Sequence, residues 1–166
     1  MRGTLIRRSG ASVVLALVLA SMPAASIAQQ QTGQQQSPGD PDQIVNYRQM
    51  VNQSRETHLE AIRQILDGKV NFMHHVREHA VALSAMSRVT LEMYPESTHP
   101  DEVETAALPA IWENWSQFQE AAVGFNEAAT QLVAMFGAAG KGELKAQVKR
   151  VEQSCETCHN TFMKTE

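Results

Sequence analysis

The sequence predicts an all-α protein, an antiparallel bundle of four helices, and three observations predict it. Apolar side chains recur at helical spacing through four long windows, and β-branched residues nowhere alternate with polar ones over a strand-length stretch. The windows are joined by links that carry Gly and Pro. Four helices of about 20 residues, each roughly 30 Å long, pack most simply as an antiparallel bundle when their connections are short.

The first 28 residues stand outside that bundle. Arg2, Arg7 and Arg8 precede an apolar run from Val13 to Met22, and Ser26 and Ala28 supply the small residues of a cleavage site after Ala28. This is the pattern of a secretory signal peptide. Its apolar run of about ten residues is half of the roughly 20 that a spanning helix needs, so no membrane span is expected in the mature protein. Cleavage would leave 138 of the 166 residues and, by removing three arginines, lower the formal net charge from −4 to −7. The acidic product has no dense basic tract to neutralise a row of phosphates, which argues against nucleic acid as a partner. A chain of that length makes one domain and buries about two-thirds of its unfolded surface, so it can fold without a disulfide.

Residues 29–42, QQQTGQQQSPGDPD, read as a flexible Gln-rich leader, because they offer no apolar side chain to bury and contain Gly and Pro. The bundle is expected over residues 43–166. In the first helix, from Gln43 to Leu66, the residues Ile44, Tyr47, Val51, His58, Ile62 and Ile65 recur at helical spacing before Asp67 and Gly68 end it. A second stripe on the same helix is mixed: Arg48, Asn52 and Arg55 are polar, whereas Leu59, Ile62 and Leu66 are apolar. A plain core would not need that mixture.

The second helix is expected from about Lys69 to Met93 on Val70, Met73, Val76, Ala80, Leu83, Ser87 and Leu91, with Pro95 stopping it. A loop from Tyr94 to Glu104 follows. Leu108, Pro109, Ile111 and Trp112 then form an apolar knot, and Asn114 with Gln117 has the spacing of a capping box for the third helix. That helix carries Phe118, Ala122, Phe125, Ala129, Leu132 and Phe136 to Gly137. The fourth begins near Gly142 and sets Leu144, Val148, Val151, Cys155, Cys158 and Phe162 on one face.

The fourth helix also holds the informative string, Cys155-Glu156-Thr157-Cys158-His159, the Cys-x-x-Cys-His pattern of covalent haem c attachment. Residues three apart on a helix project to the same side, so two thiols can form thioethers to the vinyl groups on one porphyrin edge. His159, four residues after Cys155, can offer an imidazole nitrogen to the iron as its proximal axial ligand. Other chemistries share the Cys-x-x-Cys spacing. A thiol exchanger of the thioredoxin type needs a βαβ setting, a structural zinc needs a fourth ligand, and a disulfide inside one helix would close too short a loop to stabilise much. The adjacent histidine favours haem. Little sequence follows the motif, so a sixth iron ligand is expected, if at all, from an earlier helix, and the mixed face of the first is the natural source.

With these residues in view, the chain resembles the cytochrome c′ family, the class II c-type cytochromes built as four-helix bundles. The resemblance rests on Tyr47-Arg48-Gln49, Ile65-Leu66-Asp67-Gly68, Leu108-Pro109-Ala110-Ile111-Trp112-Glu113 and the terminal motif. It implies one covalent haem c, a pentacoordinate iron, and a residue of the first helix four positions after the arginine that covers the distal side. That position is Asn52. Open-site members carry an apolar residue there and low-spin relatives a methionine, so this chain departs from both patterns. An amide is a poor iron ligand but a good hydrogen-bond donor, which keeps the open site as the expectation. Met50 points about 200° away around the helix, and His58 lies about 9 Å further along its axis. Arg48 and Gln49 resemble the residues that hold haem propionates, and the planar fork of an arginine suits carboxylates. Thr105 is expected near the haem edge.

His75 and His79, at i and i+4, have the spacing to share a metal ion, but no third ligand is evident beside them. Trp112, Trp115, Phe118 and Phe125 read as core rather than as an electron wire. The resemblance implies a periplasmic electron-carrying protein, not an enzyme, that binds diatomic gases such as nitric oxide or carbon monoxide, meets redox partner proteins, and forms a homodimer through its first two helices. The contrasting reading is a low-spin electron carrier whose iron is saturated by a sixth ligand. A peroxidase-like enzyme ranks last, since no distal His with a partner acid or Arg is visible in the sequence.

Overall fold

The computed structural model describes residues 38–164. The expected signal segment lies outside them, as does most of the leader. Five helices follow in order: α1 (Pro41–Asp67), α2 (His75–Ser87), the single turn α3 (Ala110–Glu113), α4 (Trp115–Met135) and α5 (Lys141–Phe162). The four long ones make the bundle. Along the chain α1 packs on α2, α2 on α4 and α4 on α5, while α1 meets α5 along a shorter seam. Among the described residues no strand forms; one isolated bridge, Ala107 to Met163, ties the segment before α3 to the end of α5.

Helix α1 starts two residues before the sequence expectation, because Asp40 accepts a hydrogen bond from the Gln43 amide at 3.2 Å and Pro41 occupies the first turn, where its missing N–H costs nothing. It stops at Gly68, whose φ of 80° is left-handed; there the Lys69 amide donates back to the Gln64 carbonyl at 2.9 Å. Helix α2 is much shorter than expected at both ends. Lys69 to His74 form a link, and Val70, Phe72 and Met73 face solvent rather than core. At the far end α-helical hydrogen bonding gives way to tighter turns, including a 3₁₀ turn at Leu91–Met93. The hydroxyls of Ser87 and Thr90 donate to the carbonyls of Ser84 and Ser87, competing with the helical amides for those acceptors. A second 3₁₀ turn, Glu96–Thr98, lies in the expected loop.

The expected capping box at Asn114 does not form: its side chain makes no cap bond, because α3 ends there and the chain enters α4 from a helical turn rather than an extended segment. Helix α5 starts instead with half of such a box, the Gly140 amide donating to the Glu143 carboxylate at 2.8 Å, since glycine has no side chain to return the bond.

Burial splits into two apolar clusters. The larger, at the end of the bundle where α1 terminates, joins Leu59, Ile62 and Leu66 to Val76, Leu83, Phe125, Leu132, Val148 and Val151. The smaller surrounds Ala107, Ile111, Phe118 and Phe162, with Tyr94, Trp112 and Trp115 packed on it. Phe118 centres an aromatic group, with ring centroids 4.8 Å from Tyr94, 5.3 Å from Phe162 and 5.5 Å from Trp115. Tyr47, expected on the apolar stripe of α1, is instead half exposed.

Candidate functional site

Cys155 packs on the larger cluster and Cys158 on the smaller, so the two thiols mark the boundary between them. Both are free and half-buried, three residues apart on α5. Burial pushes both thiols up, Cys158 to about 11 with its neighbour Cys155 contributing, so each is a neutral S–H at ordinary pH. His159 is exposed. On the helical wheel it lies about 40° from Cys155 and about 100° from Cys158, at the border of the inward face.

Opposite α5, α1 places Arg48, Asn52 and Arg55 on one face, as the mixed stripe predicts. Arg48 is 4% exposed. Its Nη1 donates to the Met93 carbonyl at 3.2 Å and to Thr98 Oγ1 at 3.4 Å; its Nη2 donates to Thr105 Oγ1 at 2.6 Å. The guanidinium carbon also sits 4.4 Å from the centre of the Tyr94 ring. Arg48 and Thr105, singled out far apart in sequence, therefore meet in space. Thr105 Oγ1 accepts a second bond from the Ala107 amide at 3.1 Å. Gln49 is exposed and lines an open cleft of about 500 Å³ together with Asp42, Val45, Asn46, Glu104, Thr105, Ala106 and Lys164.

Asn52 is half-buried, and its Oδ1 accepts from Arg55 Nη1 at 2.8 Å. Arg55 Nη2 continues to Thr90 Oγ1 at 2.8 Å and to the Met86 carbonyl. Burial lowers the pKa of both arginines from the ordinary value, while negative charge on Tyr94, and for Arg55 on Cys155 and Cys158, would raise it. Tyr94 is held above its usual value, mainly by burial. Arg55, Thr90 and Tyr94 are the members of this polar wall that the sequence did not assign. Arg55 stood in the mixed stripe, but its partners Met86 and Thr90 lie more than 30 residues away.

His75 and His79, spaced i and i+4, do not pair with one another. His79 Nδ1 lies 2.8 Å from His58 Nδ1 across the α1–α2 seam, whereas His75 stacks on Phe72 and abuts His74. Among the described residues no group of three His, Cys, Asp or Glu side chains is arranged to hold a metal ion.

These residues fit a covalently held porphyrin. Two inward thiols at i, i+3 spacing suit the vinyl edge, a polar wall faces them from α1, and Arg55 Nε is buried with no hydrogen-bond partner inside the protein. No helix of the described residues is long and apolar enough to cross a membrane.

Comparison with known proteins agrees. A family profile described as Cytochrome C' matches residues 43–163. A cytochrome c′ of Cereibacter sphaeroides is 28% identical over 153 residues, covering 90% of this chain and 95% of that protein. One from Rubrivivax gelatinosus is 29% identical, covering 76% of this chain and 96% of that protein. The solved structure of a Rhodobacter cytochrome c′ superposes with a TM-score of 0.70 at 27% identity, over 77% of this chain and all of the other. Fold, motif and relatives converge: the chain belongs to the cytochrome c′ family, the monohaem c-type cytochromes that carry haem c covalently on cysteine.

Proposed function

We propose that the chain is an exported, periplasmic cytochrome, with residues 1–28 removed and a Gln-rich leader ahead of α1, whose one haem is linked through Cys155 and Cys158. His159 is the single protein ligand of the iron, and the opposite side is open to diatomic gases, nitric oxide and carbon monoxide. When bound, the haem supplies a one-electron redox centre with a vacant coordination position. Nitric oxide complexes of cytochrome c prime from Alcaligenes xylosoxidans share this fold at TM-score 0.69 and 21% identity, which supports a gas-binding reading without assigning the residues.

The observation that carries the reading is the α1 face opposite the cysteines. Its covering position is Asn52, a weak ligand whose oxygen is already engaged by Arg55. The two stronger donors nearby on α1 turn elsewhere: Met50 is 65% exposed and His58 pairs with His79. Arg48, Gln49 and Thr105 hold the propionate edge. A carboxylate is a better acceptor for the Arg48 fork than the Met93 carbonyl or the Thr98 hydroxyl, so it can replace either. Lys164 Nζ, donating to the Thr105 carbonyl at 2.9 Å, closes the same cleft. The physiological partners are redox proteins, and two copies associate through α1 and α2.

The test is carbon monoxide titration of the reduced protein alongside Asn52→Leu and Asn52→Met. The wild type and the leucine variant bind the gas with different affinities, and the methionine variant turns low-spin and binds it weakly. Unchanged spectra under carbon monoxide would retire the open-site reading in favour of a saturated electron carrier. Equal affinity in all three proteins would show that residue 52 does not face the iron.

A further inference from the structure

Arg55 carries a charge into the bundle that nothing charged answers. Its hydrogen-bond partners are an amide oxygen, a hydroxyl and a backbone carbonyl, from Asn52, Thr90 and Met86. The ion pairs among the described residues involve other cations, Arg63, Arg77, His99 and Lys145. Nε is buried and unpartnered, and the guanidinium carbon lies 5.4 Å from the centre of the Phe125 ring. An uncompensated buried cation is costly, and the cost falls when an anion completes it.

Position separates this arginine from Arg48. The propionates leave a porphyrin from the edge opposite its vinyl groups. Arg48 reaches Thr105, which lines the open cleft, and so belongs with that far edge. Arg55 stands two turns further along α1, near both Cys155 and Cys158, and so belongs over the thioether half of the ring. It reaches in from α1, which packs beside the helix that bears His159 along the shorter seam.

We propose that Arg55 is an anion receptor: it donates a hydrogen bond from its free Nε–H to a small monoanion bound opposite His159, with Asn52 and Thr90 holding the guanidinium in place. The ligand class is the compact anion with a lone pair for the metal, such as azide, fluoride or nitrite. The inference rests on the open-site reading and adds to it a preference for charge. A neutral diatomic gas gains little from the same group.

The experiment uses the oxidised holoprotein, titrated separately with sodium azide and sodium fluoride and followed by absorption, with carbon monoxide titration of the reduced form as a parallel arm. Arg55→Gln weakens azide and fluoride at least tenfold and changes carbon monoxide affinity less than threefold. Arg55→Lys keeps the charge but loses the fork, and falls between the two. Equal anion affinity in wild type and Arg55→Gln, with carbon monoxide bound by both, overturns the proposal and leaves the open site standing. Failure of the wild type to bind either carbon monoxide or an anion instead overturns the open site itself. Should the glutamine variant not accumulate, Arg55→Lys decides alone: fluoride binding at least threefold weaker than wild type supports the receptor, and unchanged binding refutes it.

Discussion

Replacing Arg48 by alanine removes a guanidinium that ties three segments of chain together, and the structure allows the loss to be sized. Two of its hydrogen bonds are well formed, to Thr105 at 2.6 Å and to the Met93 carbonyl at 3.2 Å, while the one to Thr98 at 3.4 Å is marginal. Hydrogen bonds from a charged donor contribute about 1.5–3 kcal/mol each, and the contact with the Tyr94 ring adds about 1 kcal/mol. Relief of the desolvation cost of the arginine offsets part of this, leaving a net destabilisation of about 3–4 kcal/mol. Against a total of roughly 5–15 kcal/mol for a domain, that is a large share. Urea unfolding of the haem-loaded protein measures it as a lower midpoint with an unchanged slope. Arg48→Lys recovers less than half, because one ammonium cannot span the same three acceptors. A loss below about 1 kcal/mol for Arg48→Ala would refute the claim that this arginine pins the two 3₁₀ turns and the Thr105 segment to α1.

Three other outcomes follow from the same geometry. Cys155→Ala with Cys158→Ala yields a polypeptide whose mass under denaturing conditions lacks the tetrapyrrole, and retention of that mass would place the attachment elsewhere. Ile62→Ala, at a side chain with no exposed surface, costs about 2–5 kcal/mol in denaturant unfolding; a cost under 1 kcal/mol would mean that the larger cluster is loosely packed. Burial and the neighbouring His58 and His75 lower the pKa of His79 from its ordinary 6.5, so the unfolded chain takes up that proton first as the pH falls. Stability is therefore full above about pH 6.5 and declines as pH drops from there to the lowered folded value. Thermal melts across that range should show the decline in wild type and less of it in His79→Gln, and identical profiles would remove the His58–His79 pair from the account.

Helical periodicity carried most of the fold, because four long apolar stripes have few ways to be buried. Its failures were local and have physical causes. Pro41 and Asp42 looked like leader by composition, yet Asp40 caps them into α1. Val70 and Met73 continue the stripe of α2 on paper, but the chain must cross the end of the bundle between Gly68 and His75, and crossing leaves them in solvent. Asn114 and Gln117 have capping-box spacing without the extended entry that a cap requires. In the site, the cysteine spacing and the mixed stripe of α1 were legible because both are properties of one helix. The meeting of Arg48 with Thr105 was legible only as two separate positions. The role of Arg55 was not, since its hydrogen bonds to Thr90 and Met86 depend on how α1 and the end of α2 pack.

The claim on which the functional account turns is that the metal is held from one side. Resonance Raman spectroscopy of the purified protein, reduced and with no ligand added, reads this directly from the coordination and spin marker bands. A five-coordinate high-spin pattern is the predicted result. A six-coordinate low-spin pattern would mean that a side chain of this protein already sits opposite His159, and would contradict both the open site and the anion receptor built on it.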